Sequence, residues 1–170
     1  IEPGVEISFG TNGSLSVGAD GRLTAMGTMD KGIVLTSVDP IGNWRGVRFD
    51  DSRGAENVLH YVTIENGGSA GWSGAGYSSA GLLLSGNSLI DIRYSTIRGR
   101  AASGITLDRD AEMAVHENTL TENAYAAWMH PEAAQYLDAA STIDDNTEDL
   151  VRVGFGNNDG VSTAQSWLDT

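Results

Sequence analysis

Residues 81–146 read GLLLSGNSLIDIRYSTIRGRAASGITLDRDAEMAVHENTLTENAYAAWMHPEAAQYLDAASTIDDN, and this stretch repeats one pattern every 23 residues. Three triplets, each a polar residue, a threonine and an aliphatic residue, mark the period: Ser95-Thr96-Ile97, Asn118-Thr119-Leu120 and Ser141-Thr142-Ile143. The segments 81–84 and 104–107 keep the same spacing. A fixed period of about 20–30 residues indicates a solenoid, in which each repeat packs on the one before it.

Each repeat contains short segments in which apolar and polar residues alternate, as in 104–107 and 113–115. Alternation at every second position is typical of β-strands with one buried face. Gly, Asn, Asp and Ser separate these segments and favour turns over helix. We therefore predict an all-β fold, a single-stranded parallel β-helix of about six to seven coils, with three short strands in each coil of about 23 residues. The crossover rule for parallel strands makes this solenoid right-handed.

Equivalent residues of successive coils in such a solenoid lie about 4.8 Å apart and form columns. The repeat predicts two inward columns, the first of Ile64, Ile97, Leu120 and Ile143, the second of Leu59, Ile92 and Val115. The divergent segment 126–129 aligns with 104–107, which places Ala127 and Met129 inward and Trp128 outward. An isolated coil cannot bury its apolar side, so the stack is the folding unit.

The composition limits the classes of function that the chain can serve. A chain of 170 residues suits a single domain. It has 23 acidic and 10 basic residues, a formal net charge of −13, so nucleic acid and anionic lipid are not expected partners. Cysteine is absent, which removes thiol catalysis and Cys–zinc sites. No apolar run is long enough to predict membrane insertion, and the start at Ile1 without Met indicates a processed or excised piece.

We predict that residues 1–170 form one domain with four parts. The first coils occupy 1–57, the regular coils occupy 81–153, and 154–170 cap the open end of the core. Thr63 and Thr96 are 33 residues apart, and the surplus falls in the Gly/Ser-rich segment 65–80, which we interpret as an inserted loop. Insertions in solenoids often form the binding face, so Trp72 and Tyr77 in this loop are candidate ligand-binding residues. The alternative is that both aromatic side chains pack against the adjacent coil.

Five segments carry a resemblance to a known family: IEPGVEISFG (1–10), LTAMGTMDK (23–31), IVLTS (33–37), WRGVRF (44–49) and NVLHYVTIENGG (57–68). They resemble modules of bacterial right-handed parallel β-helix repeat proteins, and the resemblance covers nearly the whole chain. It implies one module of a longer secreted or surface-exposed protein, and it brings no catalytic residues. The motifs of pectate lyases and polygalacturonases, which share the fold, have no match here.

Carboxylates that follow equivalent strands are the candidates for glycoside cleavage. Asp50 and Asp51 follow one strand, and Asp108 follows the strand two coils on, with Ser85 between them. Two steps of about 4.8 Å come near the roughly 6.5–9.5 Å that separates the carboxylates of inverting glycosidases. Acidic surface turns are common, so the alternative is an ordinary solvated turn.

His60, Arg93 and His116 fall in one predicted outward column. Two imidazoles on either side of a guanidinium can bind a carboxylate or sulfate, and histidine can serve as an acid or base near neutral pH. The alternative is a solvated polar ladder.

Two further polar patterns suggest weaker hypotheses. Asp144, Asp145 and Asp149 supply oxygen ligands suited to Ca²⁺, but they lack the spacing of a calcium-binding loop. No other cofactor or metal is predicted. Thr63, Thr96, Thr119 and Thr142 form an outward threonine column of the kind found on ice-binding solenoids. Such solenoids repeat Thr-x-Thr, whereas the second position here is Glu65, Arg98, Thr121 or Asp144.

These observations favour a non-catalytic extracellular or cell-surface module with a structural or adhesive role. Its expected partner is a polysaccharide or another surface protein. The second hypothesis is a module that binds or cleaves polysaccharide, using the 65–80 loop together with Asp50, Asp51 and Asp108. Ice binding is the remote third.

Overall fold

The structure is a computed structural model, and it describes residues 1–39, 44–68, 71–72, 79–99 and 101–154. Strands and one 3₁₀ helix follow one another in these ranges: β1 (Glu6–Phe9), β2 (Leu15–Val17), β3 (Thr24–Met26), β4 (Ile33–Ser37), β5 (Val47–Asp50), β6 (Val58–His60), β7 (Val62–Glu65), β8 (Ala80–Ser85), β9 (Leu89–Arg93), β10 (Thr96–Arg98), β11 (Ser103–Leu107), β12 (Glu112–His116), β13 (Thr119–Thr121), β14 (Tyr125–Met129), the 3₁₀ helix (Pro131–Tyr136), β15 (Thr142–Asp144) and β16 (Glu148–Val153). No helix in the described part of the chain is long and apolar enough to span a membrane.

Successive strands enter three sheets in turn. The first sheet has the order β1-β4-β7-β10-β13-β15, the second β16-β14-β11-β8-β5-β2, and the third β12-β9-β6-β3. Neighbouring strands in each sheet are parallel. The chain therefore winds through six coils in the described ranges, and the predicted parallel β-helix is confirmed. Its handedness remains the prediction from the crossover rule.

The register of the strands confirms the predicted inward columns. Ile97 pairs with Ile64 on one side and Leu120 on the other, and Leu120 pairs with Ile143. Ile92 pairs with both Leu59 and Val115. The divergent segment also aligns as predicted, because Ala127 and Met129 pair with Ile105 and Leu107 and are fully buried. These columns form one continuous hydrophobic core along the axis.

The coil length of 23 residues holds only for the later coils. Thr96, Thr119 and Thr142 keep that period in the first sheet. Glu6 pairs with Val34 and Val34 with Thr63, so the first two coils take 28 and 29 residues, which the repeat did not predict. The extra residues lie in longer connections at the corners. The longest of these in the second and third coils, residues 38–46 and 66–79, both join the first sheet to the second.

The fifth coil departs from the prediction of three strands. Its third side is the 3₁₀ helix Pro131–Tyr136, so β12 is the last strand of the third sheet. His130 caps this helix by accepting a hydrogen bond from the backbone N–H of Glu132 at its Nδ1, and Pro131 occupies the start, where a missing N–H is tolerated. Ala133 and Ala134 turn into the core.

Left-handed residues form the corners of the coils. Tyr61 has a φ of 52°, and it splits the segment 59–64 into β6 and β7 where the sequence suggested one strand. Tyr94 and Glu117 take the same conformation at the equivalent corner of the next coils. The Tyr61 and Tyr94 rings stack with centroids 4.9 Å apart.

Buried polar side chains hold the coils together inside the corners. The Asn118 side chain accepts a hydrogen bond from the Ser95 N–H and donates one to the Ile92 carbonyl oxygen, each at 3.0 Å. The backbone N–H of Asn118 donates to the Ser141 hydroxyl. Ser95, Asn118 and Ser141 are the first residues of the repeated triplets, so the triplet marks an inner polar column beside the apolar one.

Candidate functional site

Asp50 lies at the end of β5, on the outer face of the second sheet, within a tight polar network. Its Oδ1 accepts a hydrogen bond from the Ser85 hydroxyl at 2.7 Å and lies 2.8 Å from a terminal nitrogen of Arg48. The Arg48 Nε also donates to the Ser85 hydroxyl oxygen at 3.1 Å. This network links the second and third coils, because Asp50 pairs with Ser85 in the sheet.

Asp51 and Asp108 also bind the corner between the second and third sheets, which we call the second corner. Asp51 Oδ1 accepts the Asn87 N–H at 2.9 Å. Asp108 Oδ1 accepts the Arg109 N–H at 2.8 Å, and its Oδ2 accepts the Gly86 N–H at 3.4 Å. Both carboxylates therefore stabilise turns of their own or the neighbouring coil.

The predicted arrangement of Asp50, Ser85 and Asp108 is present in the structure. Asp50 pairs with Ser85, and the Asp108 N–H donates to the Leu84 carbonyl oxygen, which puts the serine between the two carboxylates. The serine hydroxyl and the Arg48 guanidinium occupy one side of Asp50. Chemically, this arrangement resembles a register-holding ladder more than an acid facing a base across a free cleft.

Trp72, the described aromatic residue of the inserted loop, is packed against the solenoid. It is 8% exposed and clusters with Ala80 and Leu83 of β8. The Arg48 guanidinium lies 5.8 Å from the centroid of its ring. The position of Trp72 corresponds to the packing alternative considered for this loop. Its predicted companion Tyr77 lies outside the described residues, as do residues 155–170 of the predicted cap.

The outward column of His60, Arg93 and His116 is formed as predicted, and each base has an acidic neighbour. Asp91 lies between the first two, 3.3 Å from the His60 Nε2 and 2.7 Å from the Arg93 Nε. The hydrogen bond to Asp91 and the charge of that carboxylate raise the pKa of Arg93. Glu117 lies 2.8 Å from the His116 Nε2. The bases that might bind an external anion thus already have carboxylate partners.

The acidic residues of the last coil cap their own turn. Asp144 Oδ1 accepts the Asp145 N–H, and Asp149 Oδ1 accepts hydrogen bonds from the backbone and side chain of Asn146. Among the described residues, no three His, Asp or Glu side chains come together as a metal site. The structure therefore gives no added support to the Ca²⁺ hypothesis for Asp144, Asp145 and Asp149.

The threonine column is in register, but the position beside it is not a second row of threonine. Thr96 pairs with Thr63 and with Thr119, while Arg98 pairs with Glu65 and forms an ion pair with it at 2.8 Å. Charged side chains therefore interrupt the face that an ice-binding surface would need.

Sequence reasoning missed a polar cleft at the second corner, about 520 Å³ in volume. Its walls come from the turns of the third and fourth coils and from the 3₁₀ helix: Asn87, Arg109, Asp110, Glu112, Glu132 and Tyr136. Arg53 of the second coil binds both Asn87 and Glu112 at its edge. Burial, and the charge of Glu112, raise the pKa of the Tyr136 phenol. The signal was the sequence His130-Pro131-Glu132, a helix start that the repeat pattern masked.

A second space, lined mostly by apolar side chains, lies inside the solenoid beneath β12. It measures about 220 Å³, and its walls are Ile105, Met113, Val115, Leu120, Leu137 and Ile143. Asp138 and Ser141 also contact it. By the coefficient measured for core cavities, apolar atoms that occupy this volume contribute on the order of 5 kcal/mol. Replacement of the third strand by the 3₁₀ helix creates this space, and the sequence period gave no sign of it.

Comparison with protein-family models, with curated proteins and with solved structures finds no match to this chain.

Proposed function

We propose that this chain is a non-catalytic structural or adhesive β-helix module of a secreted or cell-surface protein. The observation that carries the proposal is the use made of its reactive side chains. Asp50, Asp51 and Asp108 bind the turns of the coils, and the His60–Arg93–His116 column is paired with carboxylates. The resemblance to β-helix repeat modules and the net charge of −13 support an extracellular setting with a protein or polysaccharide partner.

A second candidate function, polysaccharide binding, is favoured by the cleft at the second corner. Its volume of about 520 Å³ falls within the roughly 300–1,000 Å³ of small-molecule sites. Tyr136 supplies a ring on which a sugar can stack and a hydroxyl that donates. Arg109, Asp110 and Asn87 supply both donors and acceptors, which suits a polyhydroxylated ligand. This cleft lies on the side of Asp51 and Asp108 rather than in the inserted loop.

The structural proposal predicts that Asp50 acts in folding and not in catalysis. We expect Asp50→Asn to lower the free energy of unfolding by about 1 kcal/mol, since it weakens the pair with the mostly buried Arg48. Thermal melting measures this change, with Asp110→Asn as an exposed control. A reducing-sugar assay on a polysaccharide panel is expected to show no product. Product that disappears in the Asp50→Asn and Asp108→Asn variants would contradict the proposal.

A glycan array then separates the two candidate functions. If the cleft binds sugar, Tyr136→Ala abolishes the signal, while Tyr94→Ala, at the opposite corner, leaves it unchanged. If no glycan is retained, the structural role is the one that stands.

A further inference from the structure

We propose that the space beneath β12, the end cavity, is a binding site for a small apolar molecule that carries an amine. This inference does not depend on the proposed function, because it concerns the interior of the last coils rather than the surface.

The end cavity arises from the way the fifth coil is built. Strands β3, β6, β9 and β12 stack as the third sheet, and each sends apolar side chains into the core. Below β12 the chain forms the 3₁₀ helix Pro131–Tyr136 and then an extended segment through Leu137. Leu137 and Ala139 line the end cavity where a further strand would otherwise have placed its inward residues.

The size and the walls of the end cavity suit a compact apolar ligand. A core cavity of about 150 Å³ binds benzene, so about 220 Å³ holds an aromatic ring with a short substituent. Val115, Leu137 and Ile143 are only partly buried, so the end cavity has access to solvent along this side.

Asp138 determines the charge that the ligand should carry. Its Oδ2 accepts the Glu117 N–H at 3.1 Å and lies 3.9 Å from the His116 Nδ1. Its Oδ1 is buried, and no group in the described part of the chain donates to it. A carboxylate oxygen shielded from water requires a donor, and a charged donor makes the strongest bond.

The other polar groups of the end cavity do not favour an anion. The Asn118 amide is fully used by the Ser95 N–H and the Ile92 carbonyl oxygen. The Ser141 hydroxyl oxygen accepts the Asn118 N–H. With Asp138 nearby and a net charge of −13, an acidic ligand is repelled, and a neutral one leaves the Asp138 oxygen without a donor.

Three probes of similar size and different charge test the proposal: benzylamine, toluene and benzoate. Isothermal titration and amide shifts in NMR spectra of the whole chain measure binding. We expect benzylamine to bind at least tenfold more tightly than toluene or benzoate, with shifts centred on Met113, Val115 and Ile143. Asp138→Asn should reduce benzylamine affinity at least tenfold and leave toluene unaffected. Asp110→Asn, at the second corner, is the matched control and should change neither.

Xenon, which enters apolar cavities regardless of charge, reports the end cavity independently of the amine. We expect xenon-induced shifts at the same residues in the wild-type chain, and their loss in Val115→Phe, where the larger ring fills the space. Equal affinity for the three probes, or an Asp138→Asn variant that binds benzylamine normally, would overturn the proposal. So would xenon binding without benzylamine binding, because the cavity would then lack charge selection.

Discussion

Replacing Ile97 by aspartate is expected to unfold the domain. Ile97 is 1% exposed and lies between Ile64 and Leu120 in the central inward column. The space around it is tight, since a Cβ built on Gly81 would lie 2.8 Å from the Ile97 Cγ2. An unpaired carboxylate there costs several kcal/mol, against a total stability of roughly 5–15 kcal/mol. Circular dichroism during urea denaturation measures the loss.

The neighbouring Thr96→Asp variant is the matched control for Ile97→Asp. Thr96 points outward between Thr63 and Thr119, so its carboxylate reaches water. We expect it to cost at most about 1 kcal/mol, mainly through the lower β-propensity of aspartate. A cooperative transition of Ile97→Asp at the wild-type urea concentration would show that the inward column is wrongly placed.

Asn118→Ala is expected to lower the free energy of unfolding by about 2–5 kcal/mol, the second-largest effect. The asparagine is 3% exposed, and its loss leaves the Ser95 N–H and the Ile92 carbonyl oxygen without their partner. Each buried group left unpaired costs about 1–3 kcal/mol. Chemical denaturation measures the difference.

Asn87→Ala provides the comparison for Asn118→Ala. Asn87 is exposed, and its side chain accepts a hydrogen bond from Arg53 at the surface. We expect it to change stability by no more than about 1 kcal/mol. Equal effects of the two variants would mean that the inner polar column contributes little to the stack.

The columns of the β-helix could be predicted because they depend on one periodic property. Each inward position must be apolar in every coil, so the 23-residue spacing of Ile97, Leu120 and Ile143 defines the register. The same logic aligned Ala127 and Met129 correctly despite the divergent sequence. The period also identified Ser95, Asn118 and Ser141, but it did not show that these polar residues bond inside the corner.

Corner lengths and the last coils followed no such rule. Residues added between strands, as in 38–46, leave the inward columns intact, so the stack tolerates them and the period cannot reveal them. Pro131 cannot donate to a sheet and favours a helix start, which outweighs the repeat in the fifth coil. Both spaces that border the 3₁₀ helix, the polar cleft and the end cavity, follow from that one substitution of helix for strand.

A disulfide trap tests the stacked register, the central claim, most directly. The chain has no cysteine, so a double variant introduces the only thiols. Thr96 and Thr119 are direct partners in adjacent strands, about 4.8 Å apart and within disulfide reach. Thr96 and Thr121 are two residues out of register and lie beyond the roughly 7 Å limit. After mild oxidation, peptide mass spectrometry should find the Thr96→Cys/Thr119→Cys cross-link and none in Thr96→Cys/Thr121→Cys. Efficient cross-linking of the second pair, or failure of the first, would contradict the 23-residue stack.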